Sequence, residues 1–377
     1  MKKTQVIVIG GGLAGLTAAL HLCKNDIDVI LVEKEGYPHH KVCGEYLSQE
    51  ILTYLDWLKI DISSLNAPQI NRMRYSSVSG KTINCDLEMG GIGVSRYSLD
   101  HLMYKKLKES GRHIIKTLVT RVDFKNDQFT VTTSNGEIIT SEFVLGAFGK
   151  RSNLDKKLHR KFIQDQSGWL AVKAHYQTKP EFYPDDLVSL HNFNGGYCGL
   201  SKTELKTINV CYLATYESFK NYKNTDDYKA KVLMKNPHLK EFFNNAEMTF
   251  DKELSIAQVC FDKKSIIENH ILMIGDSAGL IHPLCGNGMA MAIHSAKIAS
   301  ENIILFYEHK YKTRRDIERT YKSEWNYNFS SRIKAGRFLQ KILLNTSLSN
   351  LSHSFLSKVP GILPMIIRKT HGKQVHV

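Results

Sequence analysis

Gln5–Gly15 reads QVIVIGGGLAG, and the fold turns on this stretch. Val6, Ile7, Val8 and Ile9 are all β-branched, a run that suits a strand buried on both faces rather than a helix. Gly10, Gly12 and Gly15 then complete G-x-G-x-x-G, and Leu13–Cys23 (LAGLTAALHLC) carries the apolar spacing of a helix. The first glycine of such a loop permits the tight turn, the second lets backbone approach a pyrophosphate, and the third lets helix pack on strand. Phosphates then sit at a helix N-terminus, where free N–H groups and the dipole favour an anion. A second apolar run, Asp28–Val32, ends at Glu33, where a carboxylate can accept from a ribose hydroxyl. An acid there favours FAD or NAD over NADP. Strand, glycines, helix, strand and acid arrive in order, which separates this loop from a merely structural glycine turn.

The whole chain sets bounds around that unit. Its 377 residues are 42% apolar and 23% charged, the composition of a globular protein large enough for two domains. No apolar run approaches the roughly 20 residues of a membrane span. The start, MKKTQVIVIGGG, has the charge of a signal peptide, but the glycine loop cuts the apolar run short and makes it a better first strand. The seven cysteines (23, 43, 85, 198, 211, 260, 285) show no C-x-x-C and no zinc spacing, so no metal site is expected. They read as reduced core thiols of a cytoplasmic protein. Net charge is +14, and from Trp325 to Val377 eight Lys/Arg stand without one Asp or Glu. A solvated helical face explains this tail. Nucleic acid does not, because no recognised binding module accompanies the charge. Peripheral contact with an anionic membrane is the rival reading. Phe338, Leu339, Ile342 and Leu343, then Ile362, Leu363, Met365 and Ile366, interleave apolar residues with the basic ones.

Taken in order, the chain alternates helical and strand grammar. Ser48–Leu58 has helical spacing, which places Cys43-Gly44-Glu45 on a loop just before a helix, a position that would lower a thiol pKa. Cys43 is therefore either a redox group or a small packing residue. Ile70–Asp86 alternates as a hairpin, Gly90–Val94 reads as a loop, and Ser98 is a natural cap for a helix to Ser110. A strand over Ile114–Val122 precedes a second hairpin, Gln128–Leu145, with its turn at Asn135-Gly136. Residues 167–261 carry short alternating segments, an antiparallel sheet interrupted by the polar helical stretch Tyr216–Asn245. From Glu268 the α/β grammar returns, with a strand to Ile274, a glycine-rich loop and a long helix from Met289.

Three motifs in this order resemble the two-dinucleotide-binding flavoproteins of the aromatic hydroxylase and geranylgeranyl reductase superfamily. They are GGGLAG with Glu33, GAFGKRS at Gly146–Ser152, and IGDSAGLIHPLCGNGMAMAI at Ile274–Ile293. With Arg96 ahead of its helix, the likeness covers residues 1 to about 305. It implies an α/β fold: a Rossmann-like FAD-binding domain (1–66, 96–160 and 262–305), an inserted antiparallel-sheet substrate domain (67–95 and 161–261) and a helical basic C-terminal region (306–377). It carries FAD contacts onto Gly10, Gly12, Leu13, Ala14, Gly15, Glu33 and Lys34 in the first motif. Lys41, Cys43, Gly44 and Arg96 follow on the next loop and helix, and Val119 and Gly149 lie centrally. In the third motif the contacts are Gly275, Asp276, Pro283, Gly286, Asn287, Gly288 and Met289. Asp276 would accept from the ribityl chain, and the helix opening at Gly288 would turn its positive end to the pyrimidine edge of the flavin.

Departures from the family pattern shape the functional expectation. Phe148 stands where the hydroxylases carry Asp, and Cys285 where Thr is common. The first change puts direct use of NADPH in question and leaves NAD(P)H or a separate reductase as the electron source. HHKVCGEYLS, His39–Ser48, resembles the reductase branch, which makes Cys43 the catalytic candidate. GGYCGLSKTE, Gly195–Glu204, falls where that branch has an aromatic motif, with Tyr197 and Tyr212 as substrate-pocket candidates. The W-x-W-x-I-P motif of flavin halogenases is absent and Trp169 stands alone, which argues against halogenation. The expectation is an FAD-dependent oxidoreductase that reduces a C=C bond of an apolar isoprenoid- or polyketide-like or aromatic small molecule. An aromatic monooxygenase is the alternative. A membrane-associated flavin electron carrier is a second one, against which a substrate-sized apolar cavity would count.

Overall fold

The structure, a computed structural model, describes residues 2–164, 167–282, 286–344, 356, 358–359 and 361–376, with the side chains of 343 and 344 excepted. The buried run Val6–Ile9 becomes the centre of the first sheet, inside the strand Lys2–Ile9. It pairs in parallel on one side with Val29–Glu33 (Val6 opposite Val29) and on the other with Ile138–Gly146 (Val6 opposite Phe143). Ile271–Met273 and His113–Lys116 extend the parallel set outward, and the hairpin Val119–Lys125/Gln128–Thr133 joins antiparallel through Ile138–Gly146. Val6, Ile7 and Val8 are fully buried, as a two-faced strand demands. The helices Leu13–Lys24 and Gly288–Tyr307 pack together against this sheet. The α/β fold of the dinucleotide-binding kind expected from the sequence is what the chain adopts.

A nine-stranded sheet forms the second layer. Its main path runs Glu247–Met248, Trp169–Gln177, Ile208–Thr215, Gly196–Lys202, Leu187–Phe193, Gln69–Ser76, Thr82–Gly93 and Tyr46–Ser48. Every pairing on it is antiparallel except Leu187–Phe193 with Gln69–Ser76, which is parallel because the intervening chain passes through the first layer. The hairpin over 70–86 is present, but its second strand continues through Gly90 to Gly93, where a loop was expected. Three other local expectations need correction. Cys43-Gly44-Glu45 leads into the strand Tyr46–Ser48, and helix begins only as a single 3-10 turn at Gln49–Ile51 followed by Leu52–Trp57. The helix-dipole argument for an acidic Cys43 thiol therefore falls. The helix after Val94 spans Arg96–Glu109 and is capped by Ser95, whose hydroxyl accepts from Ser98 N at 3.1 Å. The strand expected over 114–122 breaks at Thr117-Leu118.

The described part of the C-terminal region is packed. Helix Arg314–Leu344 buries Ile317, Tyr321, Trp325, Phe329 and Ile333 at four-residue spacing, one stripe turned to the core. Tyr321 Oη donates to Met273 O at 2.5 Å. Three of the tail's basic residues have internal partners: Arg332 meets Glu50, Arg337 Nε donates to Phe261 O, and Arg368 pairs with Glu88. Among the described residues no helix is long and apolar enough to cross a membrane.

Four interior histidines, His21, His191, His282 and His294, are held neutral with pKa values pushed down to about 3, each chiefly by burial. His21, 4% exposed and bonded to Tyr54 Oη at 2.6 Å, has its pKa pushed down to about 3 by burial and then by Lys297 and Lys24. His191, 4% exposed beside Ser76 Oγ, is likewise held at about 3 by burial, with His238 and Arg74 adding to it. A histidine of lowered native pKa stabilises the fold above the ordinary value of 6.5, and that contribution is lost as pH falls from there toward 3. Stability by urea unfolding should fall by about 1.4 kcal/mol per pH unit for each histidine between pH 6 and 4. The double variant His21→Gln/His191→Gln should reduce that slope by the share of these two, leaving that of His282 and His294; an unchanged slope would contradict the assignment.

Candidate active site

The glycine loop works by close approach. At Gly10 φ is +104°, and a Cβ on Gly15 would lie 1.8 Å from Gly10 O, so helix and strand could not meet with any side chain there. Leu13–Lys24 begins at Gly12 with no side-chain cap, which leaves its first N–H groups for a ligand. Arg96 and Lys41 stand just outside. Arg96 grips Asp100 through Nε at 2.7 Å and Nη2 at 2.8 Å, and Lys41 Nζ reaches Asp100 Oδ2 at 2.9 Å. Burial alone would raise the Asp100 pKa, but these two cations hold its carboxyl below the usual range. Two cations on one anion leave one positive charge beside the helix N-terminus, where a pyrophosphate would be neutralised. Arg151 Nη1 is also buried in the cavity wall, without a partner among the described residues.

Glu33 is 8% exposed and accepts from Gly11 N at 2.5 Å and Glu35 N at 2.9 Å. Its carboxylate thus stiffens the glycine loop and has lone pairs to spare. Asp276, following Gly275, pairs with Lys150 Nζ at 3.1 Å. Burial alone would lower the Lys150 pKa, and Asp276 more than restores it. Lys264 Nζ donates to Lys150 O and Asp276 O, both at 2.8 Å, and burial pulls its pKa down to about 8.

One cavity of about 980 Å³ gathers most of the candidate residues. Gly10, Gly12, Leu13, Ala14, Glu33 and Lys34 line its dinucleotide end, with Lys41, Arg96, Val119 and Gly149. Cys43, Gly44, Gly275, Asp276, Gly286, Gly288 and Met289 line the middle. Gly15 lies behind the wall. Asn287 is fully buried and turned away, donating to Glu50 Oε2 at 3.2 Å and Thr370 O at 3.3 Å. Pro283 falls outside the described residues, as does Cys285. The far end is apolar: Met73, Leu87, Val188, Leu190, Leu213 and Ile256 come from the second sheet.

The two tyrosines separate. Register places Tyr197 opposite Leu213 and Tyr212 opposite Cys198, so their rings point to opposite faces of the sheet. Tyr197 joins Ala171 and Leu213 beside the cavity. Tyr212 meets the cavity from its strand, but its ring packs with Phe193 and Tyr228, each 6.3 Å between centroids. Sequence reasoning also passed over several residues. Glu45 lines the cavity and is fully buried on Lys173 (2.5 Å) and His175 (2.6 Å). His40, Glu45 and His175 bring potential metal-ligating atoms within 4.8 Å of one another, but the Lys173 ammonium already engages the carboxylate. Tyr46, Ile367, Thr370 and His371 are further wall residues, the last three from the tail.

A glycine turn built for close approach, an uncapped helix N-terminus flanked by cations and a buried acid closing the second strand are the geometry of a dinucleotide-binding loop. The chain belongs to the FAD-binding domain family, which matches residues 3–324. It is therefore an FAD-binding flavoprotein. FAD-dependent monooxygenase janM of Penicillium janthinellum is 24% identical, matched over 78% of this chain and 66% of its own. The alignments span from 38% to 78% of the length of the first curated relatives. Among solved structures, flavin-dependent brominase Bmp2 superposes with a TM-score of 0.79 at 19% identity, over 98% of this chain and 93% of its own. A geranylgeranyl bacteriochlorophyll reductase-like protein of Thermoplasma acidophilum gives 0.75 at 19%, over 93% and 91%. At such identities these likenesses speak for the fold alone. The fold shared with a brominase means that the missing tryptophan motif does not set the chain apart from halogenases by architecture.

Proposed function

We propose that this flavoprotein is an oxidoreductase that acts on an apolar, carbon-rich small molecule and reduces a C=C bond in it, with NAD(P)H or a separate reductase supplying electrons. The observation behind the reading is that one continuous cavity runs from the glycine cradle to walls of Met73, Leu87, Val188 and Leu190. Bound FAD would supply the hydride. The chain's own residues bind and orient: Arg96 and Lys41 neutralise phosphate, Glu33 and Asp276 accept from hydroxyls, and the second sheet excludes water from the apolar end. Cys43, on the cavity wall and half-buried, is the candidate beside the reacting atoms. A cavity of substrate size counts against a carrier that has no small substrate. Aromatic hydroxylation or halogenation is the second reading, favoured by the monooxygenase janM and the brominase Bmp2.

Two measurements bear on these assignments. Glu33→Ala should weaken FAD binding by about 1.5–3 kcal/mol, read by fluorescence titration of apoprotein, because a charged acceptor is lost. Affinity equal to wild type would remove Glu33 from the ribose site. For the reaction, reduced holoprotein is incubated with isoprenoid and polyketide candidates under labelled O₂, and products are weighed by mass spectrometry. Reduction adds two hydrogens. Label in the product, or a halogen gained in the presence of halide, would overturn it.

A further inference from the structure

Helix Arg314–Leu344 has two faces. Trp325, Phe329 and Ile333 turn to the core, whereas Tyr327, Ser331, Lys334, Phe338 and Lys341 are all exposed. Their spacing of four, three, four and three residues sets these five on one stripe of an α-helix. Tyr327 is 86% exposed and Phe338 65%, and about 16 Å separates them along the helix axis. Neither lysine of the stripe has a hydrogen-bond or ion-pair partner among the described residues. The segment from Trp325 to Val377 contains no Asp or Glu to neutralise them.

Helix Ile362–Thr370 packs on this one and has the same character. Met365 is 49% exposed, and Lys369, one turn on, is exposed as well. Arg368 takes no part, because Glu88 neutralises it. The opposite side of this short helix lines the cavity through Ile367 and Thr370, and Ile367 packs with Met73 and Leu87. A single helix, about 10 Å thick, therefore stands between exposed Met365 and the apolar end of the cavity. Lysines alternating with lone aromatic residues do not make the core of a protein interface, where lysine is depleted. They suit the boundary of a bilayer, where rings sit at headgroup level and long basic side chains reach anionic phosphates.

We propose that the stripe from Tyr327 to Lys341, with Met365 and Lys369 of the helix packed on it, docks the protein on an anionic phospholipid surface. Lys334, Lys341 and Lys369 supply the attraction, which acts over a Debye length of about 8 Å at physiological salt. Tyr327, Phe338 and Met365 then bury apolar surface among the headgroups and hold the contact. The tail stays folded throughout: the inner face of its long helix belongs to the core, and only the outer face meets lipid. The docking goes beyond the reaction and does not depend on it, since lipid binding is read without turnover.

The test is co-sedimentation of the FAD-loaded full chain with vesicles of phosphatidylcholine alone or mixed with phosphatidylglycerol. Wild type should pellet with the mixed vesicles and not with the neutral ones, and added salt should release it. Lys334→Ser/Lys341→Ser should weaken binding about thirtyfold. Tyr327→Ser/Phe338→Ser should weaken it about tenfold or more. The control Lys105→Ser/Lys108→Ser, at exposed positions of helix Arg96–Glu109, should change it less than about twofold. Equal loss from control and stripe would overturn the proposal, leaving only the net charge of +14 as the source of attraction. Equal pelleting with both vesicle types would overturn it too, as would pelleting with neither, which would point to an acidic protein as the partner. All the replaced side chains are exposed, so melting temperatures should match wild type, and the wild-type lipid comparison still decides where a variant fails to fold.

Discussion

Replacing Glu45 by alanine should lower stability by about 3–5 kcal/mol, the cost of breaking a buried ion pair from one side. Glu45 is fully buried, and its Oε1 accepts from Lys173 Nζ at 2.5 Å and from Arg96 N at 2.8 Å, while Oε2 meets His175 Nε2 at 2.6 Å. Burial alone would raise its pKa, but Lys173 and His175 hold the carboxyl below the usual range. A carboxylate lowered in this way stabilises the fold above its ordinary pKa, and the contribution fades only as pH falls through the lower folded value. Lys173 is itself fully buried, and alanine at 45 strands its ammonium with no counter-charge. The double variant Glu45→Gln/Lys173→Met should cost far less than the sum of the single changes, since removing both charges also removes the stranding. Urea unfolding of wild type, Glu45→Gln, Lys173→Met and the double variant reads the coupling. Additive losses would mean that the pair holds nothing together.

That cluster also shows where sequence reading stops. The glycine turn, and the places of Glu33 and Asp276 on the cavity wall, were legible because each follows from local backbone geometry at fixed spacing. Glu45 binds partners 128 and 130 residues away, and no periodicity encodes such a meeting. The cap at Ser95 rather than Ser98 is a smaller case. The two serines stand one turn apart, and the choice falls to Ser95, which Glu204 fixes from another element by accepting from its amide and its hydroxyl. Gly90–Gly93 reads as a loop because glycine punctuates chains, yet a Cβ on Gly93 would stand 1.8 Å from Lys202 O. Glycine is needed there for close strand approach, not for a turn. Tyr197 and Tyr212 separate because cross-strand register, which the sequence does not print, sets the face each one meets. The family motifs end near residue 305, so nothing in them marks the tail as part of the site.

The tail itself should come loose when Glu50 is changed. Glu50 is fully buried in the turn Gln49–Ile51, and three parts of the chain converge on it. Arg332 Nη1 reaches Oε1 at 3.3 Å, Asn287 Nδ2 reaches Oε2 at 3.2 Å, and Gly372 N donates to Oε2 at 2.5 Å. Val375 N adds a bond to the Glu50 carbonyl at 2.8 Å. Glu50→Ala should therefore cost about 3–5 kcal/mol by leaving Arg332, only 9% exposed, without its counter-charge. It should also free Thr370 and His371 from the cavity wall. The expected signs are a lower melting temperature, trypsin cleavage at Lys369 or Lys373 before the rest of the chain, and weaker binding of apolar probes. Glu50→Gln, which keeps an acceptor, should fall between. A variant that melts like wild type with its tail protected would refute the role of Glu50. The same packing governs what truncation does. Removing residues 332–377 takes away Ile333 and the guanidinium that covers Glu50, so the protein should lose solubility. A truncated protein that stayed folded and lost only liposome binding would return the tail to the role of a membrane anchor.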